Sequence, residues 1–397
     1  MRLVFAVLLF VAMADPARAQ DIKLGVLTDL SGVYSDATGQ GSVVVTRMAA
    51  DDCLVAECAG MKIDIVSADH QNKPDLALSI ARQWIDTEHV DALVDMSNAA
   101  IQLAMAPFVA QKNRVAIFAG GTARLSGDAC QPEHIVQWMW DTYVQVNGVG
   151  RRLTKPDTTW YMITADYAFG TQFEADMKTI VEAAGGRVIG SARHPFPSTD
   201  LSAFILQAQG SGADYVALAN AGQDTVNGIK TAHEFGLGTN GAQKLVALYL
   251  SVLDVKALGL ETAKGTVLTE GFYWDIDDGT RRFSQRFMAT TGHPPSQIQA
   301  GLYSAVRHYL RAAASTKSRD AVTVIREMHR LPIEDDVVRH ATLRPDGRMV
   351  HDYYVFEVTS PSESRGPWDL YKLLDTIPPA QAFRSLAAGG CPRLLKE

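Results

Sequence analysis

The chain has 397 residues, of which 47% are hydrophobic and 20% charged, and its formal net charge is −7. This composition is typical of a soluble globular protein of two to three domains of about 150 residues each, which can bury a core without metals or disulfides. The acidic excess offers no electrostatic footprint for nucleic acid, so a nucleic-acid partner is not expected.

Residues 1–19 have the pattern of a secretory signal peptide. Arg2 precedes an apolar run over residues 3–14 that is too short to cross a bilayer as a mature helix. Ala17-Arg18-Ala19 then places small residues where a signal peptidase cuts, so we expect cleavage after Ala19 and a periplasmic mature chain. A buried N-terminal strand or helix is the less favoured interpretation of the same pattern.

Strands and helices alternate along the chain that follows. In the first unit, strands are predicted at residues 22–27, 62–66, 92–94 and 115–118, with helical spacing from Val44 onwards and helices at 74–88 and 99–112. In a second unit, strands are predicted at 160–163, 186–189, 215–218, 244–248 and 266–268, with helices at 171–184, 201–209 and 223–235. Such alternation predicts parallel strands in two three-layer α/β units.

The last part of the sequence has a different character. Three successive helices are predicted at residues 281–290, 296–314 and 320–329. A hairpin is predicted next, from strand 341–343 through a turn at 344–347 to strand 353–358. The tail, residues 361–397, is predicted to wrap around the body with little regular structure.

Four cysteines, Cys53, Cys58, Cys130 and Cys391, would meet an oxidising compartment in an exported chain. Three connectivities are possible. The short separation of Cys53 and Cys58 favours that pair, which leaves Cys130 with Cys391 to pin the tail to the body. A zinc site is the less favoured alternative, because the spacing is not that of a zinc knuckle and no histidine accompanies the thiols. No metal or cofactor is therefore expected.

The sequence lacks the common signatures of enzymes. It contains no Walker A, HExxH or nucleophile-elbow pattern, and Gly39-Gln40-Gly41 lacks the third glycine of a dinucleotide fingerprint. The pairs Asp69-His70 and His351-Asp352 are predicted to lie in solvated turns. We therefore do not expect an enzyme.

Small polar residues follow the predicted strands in both units, where open α/β sheets bind their ligands. The joints are Ser97-Asn98-Ala99 and Gly120-Gly121-Thr122 in the first unit, and residues 164–170 and Asn220-Ala221-Gly222 in the second. Hydroxyl and amide donors beside helix N-termini suit a carboxylate. Any one joint could consist of helix caps and turn residues alone, but four joints in two units indicate a ligand-binding cleft.

The order of these pieces resembles that in type I periplasmic binding proteins of the leucine/isoleucine/valine-binding group, over residues 22–358. The matching segments are LGVLTDLSG (24–32), ADHQNKP (68–74), SNA (97–99), GGT (120–122), DYAFG (166–170) and FPSTDLSAF (196–204). The resemblance implies an α/β fold of two Rossmann-like three-layer lobes joined by a three-stranded hinge, with crossings near residues 139–142, 272–276 and 338–342. The implied N-lobe is 20–140 plus 275–339, and the implied C-lobe is 141–274 plus 340–397, which includes the tail.

The same resemblance implies a site and partners. It places a ligand carboxylate at Ser97, Asn98, Ala99 and the Gly120-Gly121-Thr122 joint. It places Tyr167, Asn220 and Gly222 on the opposite wall, with Tyr34 in the side-chain pocket. The implied protein is a monomeric solute-binding subunit that delivers its ligand to the permease of an ABC importer. A ligand-sensing receptor of the same fold and a classical branched-chain amino acid-binding protein are the alternatives.

The stretch at residues 245–251 bears on the ligand. Amino-acid-binding members of the family carry an acidic residue there that neutralises the ligand ammonium group, whereas this chain has Tyr249 near the corresponding place. A buried ammonium group without a charged partner is strongly destabilising. We therefore expect a small carboxylate without an α-amino group, an aromatic acid ahead of an aliphatic one. Asp224 or Glu270 could instead supply the charge from another loop.

Overall fold

A computed structural model describes residues 21–238, 241 and 243–395 of the chain. The predicted signal peptide lies outside these residues. The N-lobe begins with a five-stranded sheet in which every pair of neighbours is parallel. Its strands are β1 (Ile22–Thr28), β2 (Ile63–Asp69), β3 (Ala92–Asp95), β4 (Val115–Phe118) and β5 (Ile135–Gln137), in the spatial order β2-β1-β3-β4-β5. The helices between them are α1 (Gly39–Leu54), α2 (Pro74–Asp86) and α3 (Ala99–Gln111). Strands β3 and β4 are fully buried and, apart from Asp95 at the end of β3, apolar, as expected of central strands covered by helices on both faces.

The C-lobe repeats this plan with a four-stranded parallel sheet. Its strands are β6 (Thr159–Ala165), β7 (Arg187–His194), β8 (Tyr215–Ala219) and β9 (Lys244–Ala247), in the order β7-β6-β8-β9. The helices are α4 (Thr142–Leu153), α5 (Ala168–Ala183), α6 (Ser202–Gly210), α7 (Gln223–Glu234), α8 (Val252–Leu258) and α9 (Leu260–Ala263). In both sheets the first strand of the lobe lies between the second and the third.

The rest of the chain returns to both lobes. It consists of β10 (Val267–Glu270), α10 (Asp278–Thr291), α11 (Gln297–Thr316), α12 (Ala321–Arg330), β11 (Thr342–Leu343), β12 (Met349–Val350), β13 (Tyr353–Val358), β14 (Tyr371–Ile377), α13 (Pro379–Ala382) and α14 (Leu386–Gly389). Helix α11 packs along α1 of the N-lobe. Strands β10, β13 and β14 form a separate antiparallel sheet. No helix among residues 21–238, 241 and 243–395 has both the length and the apolar character needed to cross a membrane.

Three segments connect the two parallel sheets. Two of them run between β5 and α4 and between β10 and α10. The hairpin β11–β12 lies beside β5, because the Gln137 N–H donates to Gly347 O, whereas β13 pairs with β10 and β14, so the third segment runs between β12 and β13. The predicted lobe boundaries, at residues 140, 274 and 339, remain a proposal. At the first of them Arg348 is fully buried, donates from Nε to Asp141 Oδ2 at 2.7 Å and donates to the carbonyl oxygens of Gln137 and Met139 at 2.9 and 3.2 Å. One guanidinium group therefore satisfies several backbone acceptors where the chain leaves the N-lobe.

The C-terminal region differs from the sequence prediction in two respects. The strand at residues 353–358 is not the hairpin partner of 341–343, because β11 pairs with β12 while β13 pairs with β10 and β14. The tail also contains regular structure, the seven-residue strand β14. It is an edge strand with most of its side chains partly or fully exposed, and Lys372 and Asp375 interrupt the continuous apolar run that marks a central strand.

Both predicted disulfides are confirmed. Cys53 bonds to Cys58 and Cys130 to Cys391, with Cα–Cα distances of 5.0 and 5.7 Å. The second bond holds the end of the chain against the N-lobe, where Arg384 Nη2 also donates to Ala123 O at 2.9 Å.

The prediction that His70 and His351 lie in solvated turns is wrong. Both side chains are buried. His70 Nδ1 accepts the Asn72 N–H at 3.0 Å, and His351 Nε2 donates to Met139 O at 2.8 Å. The local sequence resembles a turn in both places, but segments distant in the chain cover the two rings.

Candidate ligand-binding cavity between the lobes

A narrow cavity lies between the carboxyl ends of the two parallel sheets. The residues that line it come from both lobes and from the connecting segments. They are Tyr34, Ala37, Ser97, Asn98, Ala99, Gln102, Gly121, Trp140, Tyr167, Phe169, Ala221, Gly222, Tyr249 and Ile298. Of the eleven ligand-binding residues predicted from the sequence, eight are in this lining, and Gly120, Thr122 and Asn220 are not.

The strand order explains why the cavity lies there. In each sheet the chain moves outward in one direction from the first strand and in the other direction from the third, so the loops after these two strands part and leave a crevice. Tyr34 follows β1 and Ser97 follows β3 in the N-lobe. Tyr167 follows β6 and Gly222 follows β8 in the C-lobe. The two crevices together form the cavity.

The loop that carries Tyr34 is held by the buried carboxylate of Asp29. This carboxylate accepts the N–H groups of Gly32 and Tyr34 at 2.7 and 3.0 Å and the side-chain amide of Asn72 at 2.6 Å. The Tyr34 hydroxyl is thereby directed across the cleft, where it hydrogen-bonds to the Tyr167 hydroxyl. Burial raises the pKa of both phenols, so both are neutral at physiological pH.

Phe196 completes an aromatic contact between the lobes. Its ring stacks on that of Tyr167 at a centroid distance of 4.1 Å and on that of Tyr34 at 5.8 Å. Tyr34 of the N-lobe therefore packs on Phe196 of the C-lobe and hydrogen-bonds to Tyr167 of the same lobe.

The N-terminus of α3 lies in the cavity wall. Asn98 caps the helix, since its Oδ1 accepts the N–H groups of Ala100 and Ile101 at 3.0 and 3.3 Å. Its Nδ2 donates to Asn72 Oδ1 at 3.2 Å, and the Ser97 hydroxyl donates to Asp95. The Ser97 hydroxyl and one N–H of the Asn98 amide are thus used within the protein, and the helix N-terminus presents its positive end to the cavity at Ala99.

The glycine joint makes room for two side chains that are not among the predicted ligand-binding residues. A Cβ atom on Gly120 would lie 2.1 Å from Trp140 Nε1, and one on Gly121 would lie 1.8 Å from Gln102 Oε1. Any larger residue would displace the indole or the amide. Thr122 does not line the cavity. Its Oγ1 accepts the Arg124 N–H at 3.3 Å and caps a 3-10 turn.

The second joint of the C-lobe has a similar division of roles. Asn220 lies outside the lining, where its Nδ2 donates to His194 Nε2 at 3.2 Å and its Oδ1 accepts the Thr225 hydroxyl at 2.7 Å. Gly222 does line the cavity, with φ 60° and ψ −138°. A Cβ atom there would lie 2.3 Å from Val33 O of the N-lobe. Glycine at this position therefore permits the two lobes to approach each other.

Aromatic rings make up much of the remaining wall. The Trp140 ring lies 5.3 Å from that of Tyr249 and meets Phe169 edge-on at 6.1 Å. Three polar atoms of lining residues are buried and have no hydrogen-bond partner among the described residues. They are Gln102 Oε1, Trp140 Nε1 and Tyr249 Oη. Buried polar atoms of this kind need a partner from outside the protein, such as water or a ligand.

The lining contains no charged side chain. The two acids that could have supplied a charge, Asp224 and Glu270, are buried but lie outside it. Burial raises the pKa of Asp224 to about 6 and that of Glu270 well above its ordinary value. Since neither carboxylate is in the wall, an ammonium group in the cavity would find no carboxylate among the residues that line it.

Comparison with known proteins identifies the family. Residues 21–365 match the family model described as periplasmic binding protein. The chain belongs to the periplasmic binding protein family. The predicted family and the two-lobed α/β fold are thus confirmed, and the family consists of solute-binding proteins.

Several members are similar over most of their length. The crystal structure of a periplasmic binding protein from Burkholderia mallei has a TM-score of 0.89 and 41% identity, over 94% of this chain and 99% of that one. A branched-chain amino acid ABC transporter periplasmic ligand-binding protein from Burkholderia xenovorans LB400 has a TM-score of 0.82 and 37% identity, over 94% and 99%. The Leu/Ile/Val-binding protein homolog 6 of Brucella melitensis is 25% identical over 300 residues, 73% of this chain and 74% of that protein.

A more distant structure shares the fold alone. It is an ABC transporter solute-binding protein from R. palustris in complex with 4-hydroxybenzoate, with a TM-score of 0.77 and 19% identity over 90% of this chain and 97% of that one.

Proposed function

We propose that this periplasmic binding protein is the receptor of an ABC importer, and that it binds a small aromatic carboxylate between its lobes and delivers it to a membrane permease. The observation that carries the proposal is the cavity wall. It contains five aromatic residues, Tyr34, Trp140, Tyr167, Phe169 and Tyr249, and no charged one. Such a wall suits a flat ring, because ring faces and edges pack favourably against one another.

The wall can also hold an anion without a cationic side chain. The N-terminus of α3 reaches the cavity at Ala99, where the helix dipole favours negative charge. The Tyr249 hydroxyl is buried, lines the same cavity and can donate a hydrogen bond. We propose that these two groups receive the ligand carboxylate, a role for which the Ser97 hydroxyl is not free because it donates to Asp95.

An amino acid fits this cavity less well. Its ammonium group would lose water and gain no ionised partner from the wall, a loss of several kcal/mol. Each 1.4 kcal/mol corresponds to about a tenfold change in affinity. Leucine and valine are therefore the informative competitors, since the similar protein from Burkholderia xenovorans is named for branched-chain amino acids.

Isothermal titration calorimetry with benzoate, the hydroxybenzoates, 4-hydroxycinnamate, leucine and valine tests the ligand class. We expect micromolar or tighter binding of at least one aromatic acid and no measurable binding of the amino acids. Micromolar binding of leucine without any aromatic acid would show that the proposed ligand class is wrong. Uptake of the labelled acid by cells with and without the protein tests delivery to a permease.

A matched pair of variants tests the place of the carboxylate. Tyr249→Phe removes a buried, unpaired hydroxyl in the cavity, whereas Tyr309→Phe removes a buried, unpaired hydroxyl that is outside the lining. We expect Tyr249→Phe to weaken binding about tenfold, as for the loss of a hydrogen bond to a charged group. Tyr309→Phe should leave the Kd unchanged.

A further inference from the structure

We infer that the ligand carries a ring hydroxyl group and that Gln102 selects for it. This inference rests on the proposed function and names the substrate class within it. Gln102 lines the cavity in the second turn of α3, and its side chain is fully buried. Its Nε2 donates to Gly120 O at 2.6 Å, and its Oε1 has no partner among the described residues.

The orientation of this amide is fixed. Gly120 O can only accept a hydrogen bond, so the NH2 group of Gln102 must face it; a flipped amide would bring two acceptors together. Gly121 gives the amide its place, because a Cβ atom there would lie 1.8 Å from Oε1. The atom of this amide without a partner among the described residues is therefore the carbonyl oxygen, which can only accept.

A second unpaired atom has the opposite character. Trp140 Nε1 is buried, can only donate, and lies against Gly120, next in the chain to the glycine that faces Gln102 Oε1. A hydroxyl group both donates and accepts and so complements either atom. A carboxylate cannot donate to Gln102, and an ammonium group cannot accept from Trp140 and has no ionised partner in this wall. Of these three groups, only the hydroxyl satisfies both residues.

Calorimetry of the unmodified protein with benzoate and the 2-, 3- and 4-hydroxybenzoates provides the first test. We expect at least one hydroxybenzoate to bind about tenfold or more tightly than benzoate, as expected when a site's buried polar groups are otherwise left unpaired. Equal binding of benzoate and all three isomers would overturn the inference and leave the proposed function standing. If neither these four acids nor any other aromatic acid bound, both the inference and the proposed function would be wrong.

Variants then test the part played by Gln102. Gln102→Met keeps the length of the side chain and removes the acceptor, and the preference should fall below about threefold. Gln137→Met is the matched control. Gln137 is also buried, and its Nε2 also donates to a backbone carbonyl, that of Thr122, at 3.1 Å. Its Oε1 likewise has no partner among the described residues, but Gln137 does not line the cavity. This control should keep the preference.

Trp140→Phe provides a second test, which does not depend on whether Gln102→Met folds. It keeps an aromatic ring and removes the N–H, so the preference for the hydroxybenzoate should fall here too. Retention of the full preference in a folded Gln102→Met or in Trp140→Phe, or its loss in Gln137→Met, would overturn the assignment.

Discussion

His351 shows how strongly a single buried residue can couple this fold to pH. Its ring is 1% exposed and lies 5.7 Å from the ring of Tyr353 and 5.5 Å from that of Phe383. Nε2 donates to Met139 O, and Nδ1 has no partner among the described residues. Burial lowers the pKa of His351 to about 4, so the folded protein keeps the ring neutral over most of the physiological range.

This shift has a defined consequence for stability. Between the folded pKa and an unfolded value of about 6.5, the unfolded chain binds more protons, so the free energy of unfolding falls as the pH falls through this window. His351→Gln removes that contribution. From pH 7 to pH 5 the variant should therefore lose about 2 kcal/mol less than the unmodified protein. Urea unfolding at several pH values measures the difference, with His340→Gln, at an exposed histidine, as the control. If the free energy of unfolding of His351→Gln changed with pH as much as that of the unmodified protein, the expectation would be wrong.

Individual site residues were predictable only in part. A residue that directly follows a strand has its backbone at the edge of the sheet, and the sequence shows which residues these are. Eight of the eleven residues predicted in this way line the cavity. Whether a side chain turns toward the ligand depends on local hydrogen bonds, which direct Thr122 to Arg124 and Asn220 to His194. Gln102 could have been found from the sequence, because it is the only polar residue between positions 99 and 108 of a predicted helix.

Among the secondary-structure elements, the long periodic segments were the easiest to predict. Predicted helices such as 99–112 and 223–235 end within one residue of α3 and α7. Helix α4 was missed, because Gly148 and Gly150 lower the helix propensity of its sequence. These glycines allow close packing: a Cβ atom on them would lie 2.8 Å from Thr269 Cγ2 and from Ile180 Cγ2 respectively. Tertiary contacts, which the local sequence does not show, thus stabilise this helix.

The disulfide between Cys130 and Cys391 ties the tail elements to the N-lobe, and it encloses 261 residues of sequence. The chain-entropy account gives on the order of 5 kcal/mol for so long a loop, against roughly 2 kcal/mol for the short loop between Cys53 and Cys58. We expect Cys130→Ser/Cys391→Ser to lower the free energy of unfolding more than Cys53→Ser/Cys58→Ser. Denaturant unfolding of the two double variants measures this, and the reverse order would show that local strain outweighs loop length.

On the scale of the whole molecule, the lobes are in contact across the cleft. Tyr34 bonds to Tyr167, and the Gln223 N–H donates to Val33 O at 3.3 Å beside Gly222. A ligand enclosed by both lobes can enter only if these contacts open and the connecting segments bend. Affinity should then depend on how closely the lobes can approach, as well as on the contacts to the ligand itself.

Gly222 offers a direct test of this dependence. In Gly222→Ala the new Cβ would meet Val33 O of the opposite lobe at 2.3 Å, so closure around the ligand should be impeded and the affinity should fall about tenfold or more. The alanine would also be strained, because φ is 60° there, and strain alone lowers stability by about 1–3 kcal/mol. Gly212→Ala separates the two effects, since Gly212 has φ 67° but no heavy atom of the described residues within 4 Å of a Cβ. Both variants should melt at a lower temperature than the unmodified protein in the absence of ligand. Only Gly222→Ala should bind the ligand more weakly in calorimetry. Only Gly222→Ala should also fail to show the ligand-induced decrease in radius of gyration that small-angle X-ray scattering measures. Equal affinities in the two variants would show that ligand binding does not require the approach of Gly222 to Val33.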